Sequence, residues 1–201
     1  MVKYIQERCV HVDVDLKVTD LIKVYDNFIS LDQCDKMIDW FNSNQSLQED
    51  GIPKDVPASD YKVCKETTVP KSNLADFLTE ITIGAYNNAI KDGCPFPNPN
   101  IVKLSLNGYT IRRYKKNEGI FKPHIDQQSG DTVSRLFSIL IYLNDVDEGG
   151  ETEFPEWNIS VSPKKGRVLL FPANYLFLHQ GNVPISNDKY MAAMFINFGE
   201  R

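Results

Sequence analysis

His124 and Asp126 stand two residues apart in FKPHIDQQSG, and His179 follows much later in YLFLHQGNV. Two imidazoles and one carboxylate are the donor set with which a non-haem iron(II) centre holds its ion and keeps positions open for O2 and substrate. On a strand, residues i and i+2 share a face, so His124 and Asp126 can reach one ion, and the third donor must come from another strand. His179, at the end of the apolar run that begins with GRVLLFP, is a polar residue emerging from a core strand and fits that part. The spacing decides little by itself. HVDVD places His11 and Asp13 in the same relation, and a lone H-x-D is an unspecific motif.

Three features favour the later pair. Lys189 opens the apolar run KYMAAMFINF, an odd place for a cation unless it meets an anion, such as the far end of a dicarboxylate whose keto-acid end is on the iron. Tyr142 lies inside the apolar run SILIYLN, where a buried hydroxyl needs a partner. DEGGETEFP sets two glycines beside Thr152, a turn where backbone can pass close to a ligand. Nothing comparable surrounds His11. In CVHVDVDLKV the alternation of Val with polar residues predicts a half-buried strand with His11 and Asp13 on its polar face.

The elements that must position these residues are readable from periodicity. SLDQCDKMIDWFNS predicts a helix capped by Ser30, with Leu31, Cys34, Ile38 and Phe41 on one face. Residues 51–70 are polar and rich in turn formers, which predicts an ordered or lid-like loop. A second helix is expected from about Ser72 to Ile90, burying Leu74, Phe77, Leu78, Ile81 and Ala85, and the prolines of DGCPFPNPN end it. After residue 100, short runs rich in β-branched and aromatic residues follow one another: YTIRRY, SRLFSILIYLN, ISVSP, GRVLLFP and YMAAMFINF. Helices followed by such runs predict an α+β chain with a mainly β core, a jelly-roll double sheet flanked by N-terminal helices.

The 201 residues suit a single domain, with residues 1–100 as helical support and a substrate-side loop and 101–201 as the jelly-roll core. A net charge of −5 provides no positive field for nucleic acid or an anionic membrane, so neither is expected as a partner. Lys115, Lys116, Lys122, Lys164, Lys165 and Arg167 read as solvated strand and turn residues. Cys9, Cys34, Cys64 and Cys94 show no paired spacing, and the charged N-terminus does not read as a signal peptide. A soluble, cytoplasmic protein with reduced thiols is therefore expected.

From about residue 107 the chain resembles the prolyl 4-hydroxylase group of Fe(II)/2-oxoglutarate dioxygenases. The resemblance rests on Tyr114, PHID, SRLFSILIYLN, GGETEFP, VSPKKGRVLLFP, His179 and Lys189, and VYDNFISLDQCDKMIDW is similar to the family's leading strand–helix element. It implies a double-stranded β-helix in which His124, Asp126 and His179 bind iron. Lys189 would pair with the 5-carboxylate of 2-oxoglutarate, assisted by Tyr142 and Thr152, and Tyr114 would hydrogen-bond the co-substrate near the metal. Arg135 occupies a position that faces the peptide substrate in relatives, and a salt-bridged strand terminus is an equally good reading of it. The activity implied is hydroxylation of an unactivated C–H bond, foremost on a prolyl residue of a peptide or protein, releasing succinate and CO2, with ascorbate keeping the iron reduced.

Two positions depart from the family pattern. Phe121 stands where relatives commonly carry Tyr, and Phe195 where they commonly carry Trp, both on the substrate side. A dioxygenase acting on a free amino acid or other small molecule therefore stays open. A non-catalytic, cupin-like metal-binding jelly roll is the reading from another class; it predicts a missing ligand or no cation after the second His, and neither holds for this chain.

Overall fold

The computed structural model describes residues 17–51, 61–97 and 102–199. His11, Asp13 and most of the strand expected around them lie outside the described residues; Val18, its last member, begins a 3₁₀ turn, Val18–Leu21.

Strand β1 (Lys23–Tyr25) leads into helix α1 (Leu31–Ser43). Ser30 caps this helix in a reciprocal box, its hydroxyl accepting from the Gln33 N–H while the Gln33 side chain accepts from the Ser30 N–H. The buried face is Cys34, Met37 and Phe41. Leu31, expected there, is exposed because it occupies the first turn, beyond the edge of the packed surface. Part of the anticipated loop is sheet: after β2 (Glu49–Asp50) come β3 (Lys62–Val63) and β4 (Lys65–Thr68). Helix α2 (Asn73–Lys91) follows, capped by Ser72, and buries Leu78, Ile81, Thr82, Ala85, Tyr86 and Ala89.

The remaining strands are β5 (Leu104–Tyr114), β6 (Ile120–His124), β7 (Arg135–Tyr142), β8 (Thr152–Phe154), β9 (Ile159–Val161), β10 (Val168–Pro172), β11 (His179–Gly181) and β12 (Lys189–Phe198). They form a seven-stranded sheet, β1-β10-β7-β12-β5-β4-β2, and a five-stranded sheet, β3-β6-β11-β8-β9. Every pairing within them is antiparallel. This is the double sheet expected of a double-stranded β-helix.

The larger sheet is buried on both faces, which is why β7 and β10 read as unbroken apolar runs. Ile139 and Ile141 of β7, Val168 and Leu170 of β10, and Ala192 and Met194 of β12 pack toward the two helices. Their alternates, Leu140, Tyr142, Leu169, Phe171, Met191 and Ala193, pack with Phe154, Val161 and Phe177 in the second cluster, between the sheets. Side chains alternate across a strand, so each strand of the large sheet serves both cores. The inter-sheet side also carries every polar group of the site.

Candidate active site

His124 ends β6 and His179 begins β11, and the two are direct cross-strand partners. Asp126 lies just past the end of β6, in a bend. The i, i+2 strand geometry expected for it does not hold; the chain turns and still returns the carboxylate to the imidazoles. Pro123 sits within β6 beside the irregularity in its pairing with β11, the kind of place where a strand tolerates a residue without an N–H.

Candidate ligand atoms of His124, Asp126 and His179 all lie within 4.8 Å of one another. His124 Nε2 is 3.8 Å from Asp126 Oδ1, and His179 Nε2 is 3.5 Å from Oδ2. Each imidazole is fixed by its other nitrogen. His124 Nδ1 lies 2.8 Å from the Lys122 carbonyl and His179 Nδ1 3.0 Å from that of Phe177. A carbonyl only accepts, so both Nδ1 atoms carry the proton and both Nε2 lone pairs point at the carboxylate. Burial, reinforced by His179, pushes His124 down to about 3, so it stays neutral. Burial alone would raise the Asp126 carboxyl; the two imidazoles and the Ser138 hydroxyl, which donates to Oδ2 at 2.5 Å, hold it below its ordinary range. Two imidazole nitrogen donors and one carboxylate, oriented from behind, fit an iron(II) ion.

Lys189 opens β12 opposite Tyr114, the last residue of β5. Its side chain is buried and its Nζ donates to the Gly150 carbonyl at 2.7 Å. The rings of Tyr142 and Tyr114 lie 5.4 and 5.5 Å from the ammonium. Among the described residues no carboxylate forms an ion pair with it, and burial lowers it to about 7. A buried amine without a counter-charge, across one cavity from the three donors, fits a dicarboxylate bridging the two. The glycines of DEGGET serve this lysine. Gly149 and Gly150 both have φ near +74° (73° and 74°), and any side chain at 149 would run into the Val183 carbonyl. The turn thus closes against residue 183 and aims the Gly150 carbonyl at Nζ.

The cavity is lined by both histidines, Asp126, Lys189, Tyr114, Thr152 and the apolar side chains of Leu140, Met191, Phe121 and Phe195, among others. Tyr142 is not on its wall. Its hydroxyl donates to Thr152 Oγ1 at 2.8 Å, and burial keeps the phenol protonated. Tyr142 therefore orients Thr152, which faces the cavity. Tyr114 is buried, its phenol is likewise pushed up by burial, and it hydrogen-bonds Cys64. Arg135 is near the metal donors without lining the cavity. Its Nη1 donates to the Asp126 carbonyl at 3.2 Å, and its guanidinium lies 3.6 Å over the Phe195 ring. Phe121 stacks on His124 with ring centroids 3.5 Å apart.

Sequence reasoning missed one wall entirely. Arg112 of β5 faces the cavity two residues before Tyr114, and its Nε donates to Glu66 Oε2 of β4 at 3.0 Å. Lys62 of β3 donates to the same oxygen at 2.6 Å, its Nζ 5.2 Å from the centre of the Phe121 ring. The available signal was the alternation in KVCKETT, which puts Lys62, Cys64 and Glu66 on one side.

Residues 109–197 match the family described as the 2OG-Fe(II) oxygenase superfamily. Among curated relatives, "Probable prolyl 4-hydroxylase 11" of Arabidopsis thaliana is 42% identical over 73 residues, 32% of this chain and 25% of the relative. "Probable prolyl 4-hydroxylase 10" of the same plant is 25% identical over 210 residues, 88% of this chain and 68% of the relative. The chain thus spans a quarter of the length of one of these relatives and about two thirds of the other. Among solved structures, a Trichoplax adhaerens prolyl hydroxylase in complex with a hypoxia inducible factor oxygen degradation domain peptide fragment superposes with a TM-score of 0.69 at 16% identity, covering 90% of this chain and 84% of that one. At that identity the likeness establishes the fold.

Proposed function

We propose that this chain, whose residues 109–197 match the 2OG-Fe(II) oxygenase superfamily, is a prolyl 4-hydroxylase-like dioxygenase that hydroxylates a prolyl residue in a peptide or protein. One observation carries the reading: a buried lysine that forms no ion pair with a carboxylate among the described residues faces, across a single cavity, two histidines and an aspartate whose free donor atoms converge. A structural metal site needs no such cation, so the non-catalytic jelly roll leaves Lys189 unexplained. The similarity to prolyl 4-hydroxylases over most of the chain supports proline as the target.

Iron(II) and 2-oxoglutarate, when bound, supply O2 activation coupled to decarboxylation of the keto acid to succinate and CO2, and with it hydroxylation of an unactivated C–H bond. The protein's own part is positional. The Lys122 and Phe177 carbonyls keep the Nδ1 protons in place and the Nε2 lone pairs directed inward. Ser138 holds Asp126 in its charged form. Lys189 takes the far carboxylate of the co-substrate, and Thr152, held by Tyr142, offers a hydroxyl beside it. Leu140, Met191 and Phe195 exclude water between these groups. Three buried free thiols, Cys34, Cys64 and Cys94, support work in a reducing compartment.

The test is anaerobic titration of metal-free protein with Fe(II) and then 2-oxoglutarate, followed by visible absorption. A charge-transfer band that needs both components is expected. Its absence from folded protein, with neither component bound, would refute the proposal.

A further inference from the structure

Resting on the hydroxylase reading above, we propose that Arg112 is a specificity residue that receives a carboxylate of the substrate beside the reacting carbon. Within the site, Lys189 is matched by the far carboxylate of the co-substrate, and Asp126 belongs with the metal. What is left is the wall made by β3, β4 and β5, where two cations, Lys62 and Arg112, share the single carboxylate of Glu66. Among the described residues, one positive charge on this wall has no counterpart within it. Arg112 is the member that faces the cavity.

The orientation of Arg112 supports the same conclusion. Glu66 engages only its Nε edge, and among the described residues no side chain or carbonyl accepts from Nη1 or Nη2. Two parallel N–H groups of one guanidinium, held from behind on a half-rigid ion triad, are the geometry that grips a carboxylate bidentately. Its place along the cleft separates it from the co-substrate end. Lys189 pairs across the strands with Tyr114, and Arg112 pairs with Met191, two residues further along β12 toward Phe195. Phe195 in turn carries the Arg135 guanidinium on its ring. Along β12, Arg112 therefore stands between Lys189 and the Phe195 end of the cleft, where Ser138 and Arg135 contact Asp126.

The carboxylate can come from an acidic side chain next to the hydroxylated residue or from the free C-terminal carboxyl of a short substrate. Substrate pairs that differ by one charge distinguish these sources. The probes are short prolyl peptides with Glu or Gln beside the proline, each with a free or an amidated C-terminus, together with free proline and its amide. Binding is measured calorimetrically and anaerobically on protein loaded with Fe(II) and 2-oxoglutarate, and KM and kcat are then measured in air.

A charge-assisted pair of this kind corresponds to roughly 10- to 100-fold in affinity. The carboxylate form of one pair should bind tighter by that factor. A preference for Glu over Gln assigns the side chain; a preference for the free terminus assigns the terminal carboxyl. Arg112→Gln should erase whichever preference appears, mainly through KM, while the affinity for 2-oxoglutarate holds. Arg112→Lys should restore part of it. Equal binding of acid and amide in every pair would overturn the assignment even if Arg112→Gln did not fold, since that comparison needs only the unmodified chain. A preference that persists in Arg112→Gln would overturn it as well. Failure of the hydroxylase reading would look different: no charge-transfer band and no 2-oxoglutarate binding before any peptide is added.

Discussion

The two charged walls of the cavity are built on opposite principles. On one, Lys189, His124, Asp126 and His179 hold their charge or lone pairs inward, and backbone carbonyls and a serine fix them from behind. On the other, Lys62, Glu66 and Arg112 satisfy one another first. A buried charge left without a partner is costly. The first wall carries that cost in the empty protein and is relieved by its ligands; on the second both cations already share Glu66, so each has a partner before anything binds although one net positive charge remains. Binding should therefore stabilise the chain chiefly through the first wall, and mutation should destabilise it chiefly through the second.

The largest effect expected is at the metal donors. Asp126→Ala leaves two histidines and no anion to hold iron(II), so metal affinity and 2-oxoglutarate turnover should each fall about a hundredfold or more. Equilibrium dialysis with Fe(II) checks the first, and retained metal binding would remove Asp126 from the donor set. His179→Ala should behave alike, since the geometry gives all three donors one ion.

Stability separates the walls more sharply. Glu66→Gln strands two cations on one amide and should cost about 2–3 kcal/mol, somewhat below a fully buried pair because Glu66 is about a quarter exposed (26%). Lys189→Met removes an amine that has no carboxylate partner among the described residues, and should raise the stability of the ligand-free protein by about 1 kcal/mol. The same variant should bind 2-oxoglutarate roughly 10- to 100-fold more weakly. Urea denaturation of the two variants without ligands gives opposite signs if the contrast is right. Destabilisation by Lys189→Met would mean that its bond to the Gly150 carbonyl outweighs the burial of the amine.

The first wall was legible in the sequence and the second was not, for a physical reason. His179 and Lys189 interrupt apolar runs, so their burial follows from their immediate neighbours. Lys62, Glu66 and Arg112 sit in YKVCKETT and TIRRYKK, where charged neighbours look solvated. Their burial depends on β4 pairing with β5, across more than forty residues of chain. The same limit explains β6, whose Pro123 argues locally against a strand, and the position of Asp126, which a strand rule places on a face that the chain reaches through a bend. Helix α1 was readable to its cap because Ser30 and Gln33 are local; its buried face shifted from Leu31 to Met37 because the sheet beneath sets where the helix sits.

A smaller, graded effect should appear with pH. In the free protein burial lowers Lys189 to about 7, against a weaker opposing pull from Glu151, with Arg112 adding to the fall. Below that pH the amine is charged and ready for a carboxylate. Above it the amine is neutral, and binding must take up a proton. The dissociation constant of 2-oxoglutarate should thus be flat below about pH 7 and weaken toward tenfold per unit above it. Lys189→Arg keeps its charge throughout and should lose the slope. A slope unchanged in Lys189→Arg would trace it to another group.

The smallest effect distinguishes contact from support. Family resemblance places Tyr142 on the co-substrate, yet its hydroxyl donates to Thr152, and Thr152 is the residue on the cavity wall. Tyr142→Phe removes a donor without changing the ring beside Lys189, so the cost should be about 1 kcal/mol, a few-fold in 2-oxoglutarate affinity. Thr152→Val removes the wall hydroxyl at nearly constant volume and should cost at least as much. If Tyr142 acts through Thr152, adding Tyr142→Phe to Thr152→Val should cost almost nothing more, because the hydroxyl it positions is already gone. Additive losses in the double variant would mean that both hydroxyls touch the co-substrate, and that Tyr142 turns outward from Thr152 when the carboxylate arrives.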